Sequence, residues 1–419
     1  MSDKKIISVY AHWEGMENPN QMGSLAATRV KGKEAFSFEY TKEWLQSEFT
    51  HTLDPDLQLY SGRYFPRDEK PNFGVFLDSC PDRWGRVLMD RREAALAKSE
   101  KRTARNLFES DYLLGVFDAY RMGALRFKLN GTGEFLNDDK SMSVPPWTSL
   151  RELEQACKKF EEDNLSDKEQ LKWINLLLAP GASLGGARPK ASVIDSTGHL
   201  WIAKFPSIND EKNIGAWEYV AYCLAKNIGL NIAEAEIKQF SNKHHTFLTK
   251  RFDRSKKRGR IHFASAMTML GYMDGADHNT GVSYIEIAEF LMKYGADTNS
   301  DLEELWRRIV FSISIKNTDD HLRNHGFLLT EKGWRLSPAY DINPNEFGTG
   351  LSLNISETDN ELDYNLAINV AQYFRVSKTK ANRIIIRIKE AVPEWQKIAK
   401  RIGISKSEQD RMSKAFKYE

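Results

Sequence analysis

Two carboxylates, a histidine and two asparagines share one short polar stretch, Asn317-Thr318-Asp319-Asp320-His321-Leu322-Arg323-Asn324. Asp319 and Asn324 stand at the interval D-x-x-x-x-N. In a kinase catalytic loop this interval joins the Asp that takes the acceptor hydroxyl's proton to the Asn that binds Mg²⁺. Counted from Asp320 the interval is one residue short, so Asp319 is the expected base. Another carboxylate, Asp341, follows in Ser337-Pro338-Ala339-Tyr340-Asp341-Ile342-Asn343-Pro344. The stretch between, 325–336, reads as a hairpin, and a kinase places its main metal ligand just after such a hairpin. No literal Asp-Phe-Gly is present. Asn324 and Asp341 are the expected metal ligands, because Mg²⁺ takes oxygen donors. His321 is expected to orient the loop by hydrogen bonding and is grouped with the nucleotide-binding residues. The expected chemistry is phoshoryl transfer, with ATP and Mg²⁺ as cofactors.

Upstream lies a glycine-bearing stretch that includes Ala182, Ser183, Leu184, Gly185, Gly186 and Ala187. It is either a plain turn or a loop whose N–H groups approach phosphate oxygens. It is not a Walker A, since no G-K-[ST] follows. Lys204 ends the apolar run 200–205. Its charge either snorkels at the surface or reaches into a cleft toward phosphate. Glu218, on the next helix, is either an ordinary helix residue or the partner of Lys204.

The elements that must position these groups follow from periodicity. Residues 6–10 and 35–40 read as strands, the latter alternating Phe36, Phe38 and Tyr40 with small or polar residues. A helix is expected over 83–98, opened by Pro81-Asp82. Another begins near Leu150, capped by Thr148 or Ser149, with Leu150, Leu153, Ala156, Cys157 and Phe160 as its stripe. Strands 191–195 and 200–205 flank a hairpin turn at 196–199. Then come a helix over 215–227 and a strand from Thr246 running into a loop. Beyond it the pattern turns helical: 284–293, 301–316, 370–373, 378–391 and a basic tail from Trp395. The 301–316 helix, capped by Ser300 or Asp301, buries Leu302, Leu305, Trp306, Ile309, Val310 and Ile313. The turn-rich stretch from Gly131 reads as a connection between domains.

Composition bounds the rest. A chain of 419 residues is ample for two to three domains. Its net charge of +2 gives no reason for nucleic acid as a direct, dominant partner. Cys80, Cys157 and Cys223 form no C-x-x-C, so neither a disulfide framework nor a zinc site is indicated. No apolar run approaches the roughly 18 residues of a membrane span, and the first ten residues lack a signal-peptide core. A cytoplasmic protein is expected.

Together these residues resemble the HipA family of bacterial Ser/Thr protein kinases, the toxins of type II toxin–antitoxin pairs. The resemblance runs through 73–85, Leu114-Gly115-Val116-Phe117-Asp118, Gly185-Gly186-Ala187-Arg188-Pro189-Lys190, Lys250-Arg251-Phe252-Asp253-Arg254, 317–324 and 337–344. It implies an α+β, two-lobed protein-kinase-like fold with an additional N-terminal α/β subdomain. The divisions would be 1–130 for that subdomain, 131–149 for a linker, 150–254 for a strand-rich N-lobe and 255–419 for a helical C-lobe. It makes Asp319 the base, Asn324 and Asp341 the Mg²⁺ ligands, and Lys204 the contact to the phosphates. The loop 182–187 would cover the phosphates, and Ser183 matches the family's autophosphorylated serine. Thr249, Lys250, Arg251 and Phe252 would be the adenine hinge, with Asp253 near the nucleotide. It also implies a HipB-like helix-turn-helix antitoxin that contacts operator DNA, no membrane partner, and a protein substrate such as glutamyl-tRNA synthetase or another aminoacyl-tRNA synthetase. Two other readings stay open: a lipid or small-molecule kinase, and an inactive scaffold that acts as a corepressor.

Overall fold

The computed structural model describes residues 4–67, 70–140, 145–162, 167–178, 186, 188–240 and 243–417. The chain clusters into two units, Met1–Ile208 with Arg251–Ala264, and Asn209–Lys250 with Ser265–Glu419. This partition is drawn differently from the divisions expected at 130, 149 and 254.

The first unit opens on an antiparallel sheet of β1 (Lys4–Ala11), β2 (Asn20–Val30), β3 (Lys33–Tyr40), β4 (Arg63–Tyr64) and β5 (Leu125–Leu129), in the order β4-β3-β2-β1-β5. Phe36, Phe38 and Tyr40 of β3 are buried, as their alternation predicts. Phe38 packs its ring 5.6 Å from Phe76, which in turn lies 6.1 Å from Phe127. Helix α1 (Arg83–Ser99) starts where Asp82 accepts a hydrogen bond from Gly85 N at 2.8 Å. Helix α2 (Leu150–Glu161) buries the expected stripe, but Ser149 at its N-cap is already helical and makes no side-chain cap bond. The turn Trp147–Ser149 leads the chain into the helix instead. Helix α3 (Asp167–Leu178) packs against both α1 and α2. Strands β6 (Lys190–Ile194) and β7 (Leu200–Lys204) form the expected hairpin. Asp195 fastens its turn by accepting from Thr197 N at 2.8 Å and Trp201 Nε1 at 2.8 Å.

The second unit holds α4 (Ile214–Asn227), the antiparallel pair β8 (Ala235–Lys238) and β9 (Thr246–Lys250), then α5 (Tyr284–Tyr294) and α6 (Thr298–Ile315). A hairpin of β10 (Gly326–Thr330) and β11 (Gly333–Leu336) follows, and α7 (Lys378–Ala391) and α8 (Trp395–Arg401) lie near the end. The predicted stripe of α6 is buried throughout. Its start is not where the sequence places it: Asp297 is the N-cap residue. Asp301 lies inside the first turn and accepts from Arg335 Nε at 2.9 Å and Leu336 N at 3.0 Å, tying α6 to β11. The helical segment expected at 370–373 is a helix, Tyr364–Val370, that tightens into a 3₁₀ turn, Ala371–Phe374. All three cysteines are free thiols. Among the described residues no helix is long and apolar enough to cross a membrane.

Candidate active site

The site is built at the C-terminus of α6. Lys316 takes a left-handed backbone (φ 49, ψ 51), and Asn317 N closes the helix end onto Ser312 O at 2.9 Å. The chain therefore turns sharply and lays down 317–324 as a fixed polar turn. Asn317 is buried, and its Oδ1 accepts from Asn343 N at 3.0 Å. Thr318 Oγ1 accepts from Asn345 Nδ2 at 2.8 Å, and Thr318 O from Ser352 Oγ at 2.8 Å. Tyr340 OH donates to Arg323 O at 2.7 Å. A Cβ at Gly348 would run into the Thr318 side chain, so the backbone there lies close against the turn.

The two adjacent carboxylates have different surroundings. Asp320 is buried, accepts from Tyr284 OH at 2.6 Å and lies 3.2 Å from His325 Nε2. Burial alone would raise its pKa, but His325 and the Tyr284 hydroxyl hold it below the usual carboxylate range. Asp319 is exposed on the turn. The protein wall beside it raises its pKa, the charges of Asp341 and Asp320 add to that, and His321 and Arg323 oppose it. Of this pair, Asp319 is the one open to solvent.

Asn324 is buried, and its Nδ2 donates to Asp319 O at 2.8 Å. Its Oδ1 is buried with no hydrogen-bond partner among the described residues. Buried amide oxygens are rarely left in this state without a ligand or water. Asp341 is half-buried and holds a left-handed backbone, φ 56, which costs a non-glycine residue about 1–2 kcal/mol. Its Oδ1 accepts from Asn343 Nδ2 at 3.1 Å. The donors offered are carboxylate and carboxamide oxygens, a set suited to Mg²⁺ and not to zinc.

His321 hydrogen-bonds within the turn. Its backbone does the work, with N donating to Asp319 O at 3.1 Å and O accepting from Asn324 N at 2.8 Å. Its ring Nδ1 is buried without a hydrogen-bond partner among the described residues. The Tyr284–Asp320–His325 support beneath the turn was not anticipated, because Tyr284 is remote in sequence. Glu218, 5% exposed, lines one narrow pocket with Tyr222, Phe247, Thr249, Tyr340 and Asp341. An ordinary exposed helix position is thereby excluded for it.

In the first unit, Ala182, Ser183, Leu184, Gly185 and Ala187 lie outside the described residues. Gly186 has φ 97, and a Cβ there would sit 3.0 Å from Lys190 Nζ. Lys190 is buried, with Nζ 2.9 Å from Asp82 Oδ2. Lys204 is half-buried and pairs in register with Lys190. Phe252 packs its ring 6.0 Å from Phe263. In the second unit Lys250 lies 3.4 Å from Glu234 Oε2.

In the segment expected to face adenine, two side chains bind within the protein. Arg251 and Asp253 are both buried, and they bind each other through two hydrogen bonds of 2.8 and 2.6 Å. Asp253 Oδ2 also accepts from Arg254 Nη1 at 2.6 Å and Gly123 N at 2.9 Å. Arg251 Nη1 donates to Tyr120 O at 2.6 Å. The Asp253 carboxylate is thus used up in holding the 120–123 turn, and its side chain is not presented to a nucleotide.

Comparison with known proteins identifies the family. The family described as "HipA-like C-terminal domain" matches residues 182–396, just over half of the chain. A curated Haemophilus influenzae protein, named provisionally as a kinase, is 27% identical over 184 residues, 39% of this chain and 52% of that protein. The chain therefore spans about half the length of that relative. The serine/threonine-protein kinase toxin HipA of Shewanella oneidensis is 23% identical over 337 residues, 74% of this chain and 70% of that one. A solved structure of Shewanella oneidensis HipA with HipB and its operator DNA aligns with TM-score 0.64 at 18% identity, covering 98% of this chain and 94% of that one. That likeness shows the fold, α+β and kinase-like. By the family match over its larger part and by this fold along its length, the chain belongs to the HipA-like family.

Proposed function

We propose that this protein is an ATP-dependent kinase that transfers the γ-phosphate to a serine or threonine of another protein, acting as the toxin of a toxin–antitoxin pair. The reading rests above all on Asn324. Its amide nitrogen is spent on Asp319 O, its oxygen is left buried and unmatched, and the neighbouring Asp320 is withdrawn from solvent. In this reading Asp319 takes the proton of the acceptor hydroxyl, and Asn324 and Asp341 hold the divalent ion. Bound there, Mg²⁺ would neutralise charge on the β- and γ-phosphates. Lys204 meets the phosphates, and Thr249–Phe252 contributes backbone to the adenine site. The partner is a HipB-like antitoxin, through which operator DNA is reached, and the substrate is a host protein, an aminoacyl-tRNA synthetase being one candidate.

A protein acceptor is favoured over a small one by Phe347, which is 78% exposed. It sits on a turn held by Phe347 N donating to Asn345 Oδ1 at 3.0 Å, and Asn345 in turn grips Thr318. A large apolar side chain is thus displayed on the segment fastened to Thr318, the residue before Asp319. Burying a phenylalanine is worth about 1.5–3 kcal/mol. Phe347→Ala is therefore expected to raise KM for the protein acceptor roughly tenfold or more, with KM for ATP unchanged. An acceptor KM that stays put would remove this support.

Ser183 is proposed as an off switch. Phosphate adds about −1.5 to −2 charge to a loop that would otherwise receive an anionic nucleotide. Incubation with labelled ATP alone is expected to label Ser183 and weaken later ATP binding. Ser183→Ala should take up no label there while still phosphorylating the acceptor. The test of the whole reading is phosphoproteomics of cells producing the wild type against Asp319→Asn. Phosphosites that do not differ between the two would end it.

A further inference from the structure

Asn343 repeats the arrangement of Asn324. Each carboxamide spends its nitrogen on a residue of the site, Asn324 on Asp319 O at 2.8 Å and Asn343 on Asp341 Oδ1 at 3.1 Å. Each leaves its Oδ1 buried with no hydrogen-bond partner among the described residues. The nitrogen of Asn343 is identified by the carboxylate it faces, since an amide oxygen there would repel Asp341. Asn343 is fixed a second time through its backbone, with N donating to Asn317 Oδ1 at 3.0 Å. The oxygen is therefore held in place by contacts on either side of it.

Geometry limits where that oxygen can act. The nitrogen and oxygen of one carboxamide are about 2.3 Å apart, so Asn343 Oδ1 lies within roughly 5.4 Å of Asp341 Oδ1. An ion bound by Asp341 holds its ligands at about 2.0–2.1 Å and keeps several waters. Two ligands of one such ion lie at most about 4.2 Å apart, so across this range Asn343 Oδ1 reaches the ion directly when near Asp341 and through a bound water when farther out. Carboxylates and imidazoles alone do not fill the coordination: among the described residues no group of three or more His, Cys, Asp or Glu could hold a metal. A carboxamide oxygen is a hard donor of the kind Mg²⁺ takes.

We propose that Asn343 supplies an oxygen to the nucleotide-bound divalent ion, directly or through one of its waters, while its amide nitrogen holds Asp341 in place. The proposal rests on the kinase reading of Asp341 and Asn324, and its test keeps the two apart. Mn²⁺ serves as a paramagnetic probe, titrated into the full chain by EPR in the presence of a non-hydrolysable ATP analogue. Asn343→Ala is expected to weaken Mn²⁺ binding roughly tenfold or more, with binding of the analogue in the absence of metal unchanged. Asn343→Asp keeps an oxygen at Oδ1 but sets a second one against Asp341 in place of the nitrogen, and is expected to weaken Mn²⁺ binding by clearly less than the Ala variant does. Asn343→Leu, of similar size and without an oxygen, replaces the Ala variant should that one fail to fold. Wild-type Mn²⁺ binding by the Ala or Leu variant would overturn the proposal. Equal losses in the Ala and Asp variants would also overturn it, since they would leave only the clamp on Asp341. Asp341→Ala is run alongside: if it binds Mn²⁺ like wild type, it is the reading of the site that fails.

Discussion

Asp319→Asn is expected to slow phosphoryl transfer roughly 10²–10⁴-fold, the range contributed by a positioned general base, while the protein stays folded. The substitution keeps the shape of the side chain and leaves Asp319 O, the atom that holds Asn324, in place. Asp320 cannot substitute for it, being buried against Tyr284 OH and His325. Asn324 should still bind the ion, so the loss belongs in the rate and not in nucleotide affinity. Single-turnover transfer to an acceptor, paired with nucleotide binding and thermal unfolding, checks this. A variant that transfers at the wild-type rate would remove Asp319 from the reaction. If Asp320→Asn is the variant that fails, it should also unfold at a lower temperature, because it breaks the support beneath the turn.

Asp253→Ala is expected to destabilise the protein by about 3–5 kcal/mol, since it leaves Arg251 as a buried charge without its counterion. Both side chains are wholly buried, and Arg251 could not carry its charge out to water without giving up Tyr120 O. The same ion pair sets a pH dependence. Burial alone would raise the Asp253 carboxyl, but Arg251 and Arg254 overturn that and hold it at about 2. A carboxyl held below its usual value of about 3.9 contributes stability above that value, and the contribution is lost as pH falls through 2. It is worth about 2–3 kcal/mol at neutral pH. Urea unfolding of both proteins should therefore show a wide gap at pH 7 that narrows below pH 4. A gap that does not change with pH would mean that the carboxylate's charge is not what stabilises this network.

Local pattern made much of this legible. The stripe of α6, the β6–β7 hairpin and the start of α1 follow from spacing and caps that act within a few residues. The turn 317–324 was legible for the same reason, as its groups are adjacent in sequence. What escaped was set at long range. Strand β8 is four residues, Ala235–Lys238, with no alternation to distinguish it, and it exists because β9 pairs with it. Helix α3 begins among charged residues and has a weak stripe. Asp301 looked like a cap because Ser300 and Asp301 precede an apolar run, but the hairpin beyond α6 supplies Arg335 to claim it. Arg251 and Asp253 looked like ligands because of where the family resemblance places them. Their partners, 120–123, lie some 130 residues earlier in the chain. The Asn343 oxygen could not be read from sequence at all, because an unmatched acceptor is defined by what surrounds it.

The ties between the 317–324 turn and the 340–352 segment have a bearing on inhibitors. Asn343 N, Asn345 Nδ2, Ser352 Oγ and Tyr340 OH each fasten one strip to the other, and Gly348 leaves no gap between them. To swing Asp341 outward, the protein would have to break several of these at once. Compounds that capture a flipped-out aspartate would find almost no population of that conformer to bind. Screening should favour molecules that fit the closed, ready-made arrangement.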